Sequence, residues 1–131
     1  MIIFDTSFLI SFYNTRDENH SKAVEIMRKL NTQANFAITD YIFDEFATVA
    51  LVRIKDLKRV IKMCEEIRAS AKMFKIEDDI FEETWRFFKK QKGTLSFTDC
   101  SSVCVLKRFG IDSIATFDKE FKKLNGIDVL S

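Results

Sequence analysis

Four carboxylates in this 131-residue chain stand where ordinary surface charge explains them poorly. Asp5 lies inside the apolar opening MIIFDTSFLI. An unpaired carboxylate in such a place is costly, so Asp5 either caps a helix or belongs to a site. Asp118 closes SIATFD, which carries no charge after Asp112. In TDYIFDEFATVA, the residues Ile42, Phe46 and Val49 recur at helical spacing. Glu45 borders that apolar face near Val49, whereas Asp44 points well away. Asp99 opens a stretch of small side chains in SFTDCSSVCV, suited to close packing on a sheet, and Ser96 with Asp99 also fits a capping box. Four like charges gathered at one edge stay ionised only with cations among them. An oxygen set without histidine or thiolate suits Mg²⁺ or Mn²⁺ rather than zinc. Such ions can hold a phosphodiester, acidify a bound water and stabilise a leaving oxygen.

The elements that must position these acids alternate between short β-rich runs and longer helical patterns. Strands are expected at 1–4, 35–39, 71–76, 112–117 and 127–130. Helices are expected at 6–13, 19–31, 41–54, 56–69, 78–91 and 98–109, with a short one near 119–123. This order predicts an α/β fold: a single domain over 1–131, with about five parallel strands flanked by helices in three layers. Ligands of such sheets bind outside the carboxyl ends of the strands, and Asp5, Asp40, Glu77 and Asp118 each follow a strand candidate. Asp40 and Glu77 read as helix-start residues, Asp40 after the N-cap Thr39 and Glu77 at the head of an acidic first turn. Gly93 and Gly110 follow basic helix ends and are expected as C-terminal caps.

Composition narrows the setting. A hydrophobic fraction of 47% with 14 phenylalanines argues for a packed core. Lys+Arg 21 against Asp+Glu 20 neither demands nor excludes a nucleic-acid partner. No apolar run approaches the roughly 20 residues that span a bilayer, and no signal-peptide pattern opens the chain. Cys64, Cys100 and Cys104 are an odd, sparse set, better read as small buried side chains in a reducing, cytoplasmic setting than as a zinc site.

On the residues in MIIFDTSFLI, TDYIFDEFATVAL and LSFTDCSSVCVLKRFGIDSIATFDKEF, the chain resembles the PIN domain family, and within it the small VapC-like toxin ribonucleases. The resemblance implies metal-dependent cleavage of RNA, with Asp5, Glu45, Asp99 and Asp118 as catalytic and metal-binding residues and Mg²⁺ or Mn²⁺ as cofactor. It also implies an antitoxin protein as partner. Thr6, Ser7 and Thr116 would be supporting hydroxyls, a role that stands beside an ordinary one as helix-start and strand residues. A catalytically silent binding module and a stand-alone RNA-processing nuclease are the alternatives. The D-x-D pair of haloacid-dehalogenase-like phosphatases is missing, since Thr6 and Ser7 follow Asp5. His20, the only histidine, sits in a polar helix start, against a histidine-based nuclease.

RIKDLKRVIK supplies the best basic stretch for RNA: Arg53, Lys55, Lys58, Arg59 and Lys62. Phosphate contacts from such residues give affinity with little sequence choice, and a solvated helical face explains them equally well. The adjacent pairs Phe12–Tyr13 and Phe87–Phe88 cannot both face inward on a helix. Some exposed aromatic surface is therefore expected, as for a homodimer face or an antitoxin groove, with extra core packing an equally good account of both pairs.

Overall fold

The computed structural model describes residues 1–30 and 35–131. Its elements run β1 (Ile2–Phe4), α1 (Thr6–Tyr13), α2 (His20–Leu30), β2 (Phe36–Thr39), α3 (Asp40–Ile54), α4 (Leu57–Ser70) and β3 (Ala71–Phe74). Then follow α5 (Asp78–Lys90), α6 (Phe97–Phe109), β4 (Ser113–Ala115), a 3-10 turn at Lys119–Lys123 and β5 (Asp128–Leu130). The expected elements are all present, with ends shifted by up to two residues. The expected helix at 19–31 ends, within the described residues, at Leu30, and Asn31 lies outside them.

Local chemistry explains the boundaries. The Thr39 side chain accepts from the Ile42 amide at 3.1 Å and starts α3, while Asp56 accepts from the Arg59 amide at 3.3 Å and starts α4. Ser96 and Asp99 form a full capping box at the head of α6, and Gly110 ends that helix in the left-handed region at φ 64°. Gly93 does not have the expected role. Helix α5 stops at Lys90 because Gln91 is extended, and the Gln91 side chain holds both the amide and the carbonyl of Leu95, at 2.9 and 2.8 Å. A side chain fastened to the following loop ends this helix without glycine.

All five strands pair in parallel in the order β3-β2-β1-β4-β5. Consecutive strand residues such as Ala37, Ile38 and Thr39, or Ile114 and Ala115, are fully buried, so helices cover both faces of the sheet. Helix α1 packs on α2 and α3, and α5 packs on α6. Helix α6 is buried from Asp99 to Leu106. It tolerates this because Ser101 and Ser102 donate back to the Thr98 carbonyl, at 2.6 and 3.2 Å, leaving no hydroxyl unsatisfied there. Cys100 and Cys104 are buried free thiols, as expected, and Cys64 is half-buried.

The chain builds outward from β1 to β2 and β3, then returns to place β4 on the other side of β1. That reversal leaves a crevice outside the carboxyl ends of β1 and β4, where parallel α/β sheets bind ligands. The Asp5 amide donates to the Ala115 carbonyl at 3.0 Å, carrying the β1–β4 ladder one residue beyond β1. Asp5 is thereby fixed at the switch point.

The aromatic pairs take the core-packing alternative. Phe12, Tyr13, Phe87 and Phe88 are half-buried against the core rather than exposed. Tyr13 leans on Phe46 and Phe88 on Phe97, with ring centroids 5.7 and 5.8 Å apart. Both members of a pair fit on the flanks of a buried stripe. The exposed aromatic rings are instead Phe81, Trp85 and Phe109.

Candidate active site

Asp5, Glu45, Asp99 and Asp118 line one cleft of about 470 Å³ at the switch point. Each arrives from a different element: Asp5 after β1, Glu45 from α3, Asp99 from the first turn of α6, and Asp118 after β4. Asp44 is exposed and lies outside the cleft, so the helical phase that separated it from Glu45 holds.

Asp5 stands at the N-cap position of α1, but its side chain makes no capping bond. Its Oδ2 instead accepts from Ser7 Oγ at 2.9 Å and from Thr116 Oγ1 at 2.8 Å. The two hydroxyls are themselves fixed, since Ser7 Oγ accepts from the Phe117 amide and Thr116 Oγ1 from the Asp118 amide, both at 3.0 Å. A hydroxyl has one proton to give. With both protons aimed at Asp5, the 3.1 Å contact between Ser7 and Thr116 carries none. Asp5 Oδ1 is buried without a hydrogen-bond partner, and so is Thr6 Oγ1 beside it. Burial pushes the Asp5 carboxyl above its ordinary value, and the Glu45 charge adds to this, while the Thr116 and Ser7 hydroxyls oppose it.

Asp99 serves two purposes. Its Oδ2 accepts from the Ser96 amide at 3.0 Å as half of the capping box. Its pKa is pushed up to about 6, by burial first and then by the charges of Asp5 and Asp118. Asp118 Oδ1 accepts from the Glu120 amide at 3.0 Å and opens the 3-10 turn, so it too caps locally while lining the cleft. Among the described residues, no three His, Cys, Asp or Glu side chains are grouped as a metal-binding set.

Other expected residues divide. Thr6 and Ser7 line the cleft and Thr116 supports Asp5 from behind. Arg53 lines the cleft as well, because Glu45, Val49 and Arg53 recur every fourth residue along one face of α3. Lys55, Lys58, Arg59 and Lys62 are exposed and lie outside it. One acid was missed. Asp17 accepts from Ser11 Oγ and from the Asn19 amide, both at 2.9 Å, and stands 4.0 Å from Arg53. Asp17 and Arg53 form the cleft's mixed-charge rim. The polar segment before α2 gave no periodicity to announce this.

A parallel α/β sheet with four acids at its switch point, Asp5 among them held by two hydroxyls, defines the class. The family model described as PIN domain matches residues 2–127, and the chain belongs to that family. Among solved structures, it is similar to the sarcin-ricin-loop-cleaving toxin VapC20 of Mycobacterium tuberculosis at 20% identity and a TM-score of 0.89, with 100% of each chain covered. It is also similar to a toxin–antitoxin complex from Klebsiella pneumoniae, at 18% identity and a TM-score of 0.72, covering 100% of this chain and 97% of the other. VapBC2 of Rickettsia felis, bound to a DNA fragment from its promoter, matches at 10% identity and 0.73, covering 98% and 97%. No curated protein matches the chain by sequence. Among the described residues no helix is long and apolar enough to cross a membrane.

Proposed function

We propose that this chain is a metal-dependent endoribonuclease that hydrolyses RNA phosphodiester bonds and acts as the toxin of a toxin–antitoxin pair. One observation carries the reading: four carboxylates from four elements converge at the switch point, and the buried Asp5 Oδ1 among them has no hydrogen-bond partner. Membership of the PIN domain family supports it, as do neighbours that include an RNA-cleaving toxin and a toxin–antitoxin complex. The antitoxin and a homodimer belong to the same proposal. Exposed aliphatic side chains at Val52, Leu57 and Ile61 offer surface for protein partners.

The residues present fit a hard divalent cation. The donors are all oxygen, and a buried unpartnered carboxylate oxygen is stabilised by positive charge. Asp5 and Asp99 would hold Mg²⁺ or Mn²⁺, with Glu45 and Asp118 completing the anionic wall. Magnesium is commonly bound through one or two carboxylates and retained waters, a donor set that Asp5 and Asp99 would supply. When bound, such an ion neutralises phosphate charge and acidifies a water.

The chain's own groups do the positioning. Ser7 and Thr116 immobilise Asp5 through Oδ2, so that Oδ1 is the oxygen left to act. Asp99, whose pKa is pushed up to about 6 in the metal-free cleft, would release its proton as the cation binds. Arg53, restrained by Asp17, stands at the rim where a phosphate of the strand can be met. The test is incubation of single-stranded RNA with the protein. Cleavage should require Mn²⁺ or Mg²⁺, stop with EDTA and be absent in a folded Asp5→Asn variant. Cleavage that persists in EDTA or in that variant would overturn the proposal.

A further inference from the structure

We infer that the groove beside the acidic cleft is a subsite for an unpaired nucleobase of the RNA, stacked on aromatic rings and read at its pairing edge by Asp44. The inference rests on the ribonuclease reading above. The groove, about 510 Å³, is lined by the rings of Tyr41, Phe81 and Phe97 together with Asp44, Thr48 and Thr98. It shares Glu45 and Val49 with the cleft, so the two sites are continuous along α3. Phe97 is the hub, with its ring centroid 6.3 Å from that of Tyr41 and 5.3 Å from that of Phe81. Phe81 is 42% exposed, and Tyr41 and Phe97 are half-buried, which leaves apolar ring surface open beside the cleft.

The charges decide what fits. No lysine or arginine lines the groove, whereas the carboxylates of Asp44 and Glu45 do. A phosphate is repelled there. A base offers what the lining lacks, namely a flat π-face for the rings and N–H donors for a carboxylate. Guanine matches best, because its pairing edge presents two adjacent donors to the two oxygens of one carboxylate. In a duplex that edge is occupied, so the groove selects unpaired nucleotides. A strand whose phosphate lies in the cleft can place its neighbouring base in the groove, because Glu45 borders both.

Fluorescence anisotropy tests this with labelled uridine-rich decamers carrying one central guanosine, or inosine in its place, in EDTA so that the RNA stays whole. Inosine lacks only the 2-amino group. Wild type should bind the guanosine RNA more tightly, by roughly tenfold for one charge-assisted hydrogen bond. Asp44→Asn should bring the ratio towards one. Phe81→Ala should weaken both RNAs by about tenfold through lost stacking, and Phe81→Tyr should restore binding, which separates stacking from folding. Unchanged affinities and an unchanged guanosine-to-inosine ratio in these variants would overturn the subsite. So would a dimer that Phe81→Ala turns into a monomer with RNA affinity intact, since a second copy would then cover the groove. Failure of the ribonuclease reading is distinguishable: it would show as no cleavage with Mn²⁺ while base-dependent binding persists.

Discussion

Replacing Asp99 by Asn should stabilise the metal-free protein at neutral pH, although it removes a residue from the acidic cleft. Folding raises the Asp99 pKa from the ordinary 3.8 to about 6. The folded protein therefore keeps a proton that the unfolded chain has shed between those values. Stability from this group is complete below pH 3.8 and is lost as pH rises through about 6. At about 1.4 kcal/mol per pH unit the loss is at most about 3 kcal/mol, and screening from the open cleft reduces it to about 1–2 kcal/mol. Asparagine keeps an oxygen to accept from the Ser96 amide, so the capping box survives. It forfeits the favourable charge at the start of α6, worth about 0.3–1 kcal/mol. A net gain of about 1 kcal/mol remains above pH 7, or about 4 °C in Tm for a domain of this size. Thermal melts of both proteins in EDTA, at pH 4 and pH 7.5, measure it. The variant should melt higher at pH 7.5, with the advantage gone at pH 4. A variant less stable at pH 7.5, or an equal difference at both pH values, would refute the electrostatic origin of the strain.

Three further outcomes are expected. Mn²⁺ affinity, followed by calorimetry, should fall as pH drops through about 6, because Asp99 must lose its proton to bind a cation, and Asp99→Asn should flatten that dependence. Glu45→Gln should lower kcat for RNA cleavage at least about 100-fold, while Glu65→Gln, exposed on α4, should leave it unchanged; equal rates for both would remove Glu45 from the site. Thr116→Val deletes a hydroxyl that opposes the raised pKa of Asp5, so the acid limb of the pH–rate profile should move to higher pH with about 1–2 kcal/mol of stability lost; an unmoved limb would deny Thr116 its positioning role.

The fold was legible because the strand–helix alternation was clear and several helices carried local boundary signals that tertiary packing did not override. Thr39 and Gly110 mark boundaries through bonds within a few residues, and these hold. Gly93 misled because the actual stop is the grip of Gln91 on Leu95, which only the folded loop creates. Helical phase likewise separated Glu45 from Asp44. Carried two turns further along α3, it would have put Arg53 in the cleft. Asp99 and Asp118 each read equally well as a cap or as a site residue, because each is both. Asp17 was illegible: its place depends on how the segment before α2 folds back towards Arg53, and no period encodes that. Ser7 is a local partner of Asp5, two residues on, whereas Thr116 reaches it through the pairing of β1 beside β4, 111 residues away in sequence.

The central claim is that the acidic cleft holds a divalent cation against Asp5, and anomalous diffraction from crystals grown with MnCl₂ tests it most directly. A manganese peak in the cleft, with Asp5 Oδ1 among its ligands and absent from Asp5→Asn crystals, is the expected result. A manganese ion bound only outside the cleft, in a protein that still cleaves RNA, would contradict the account.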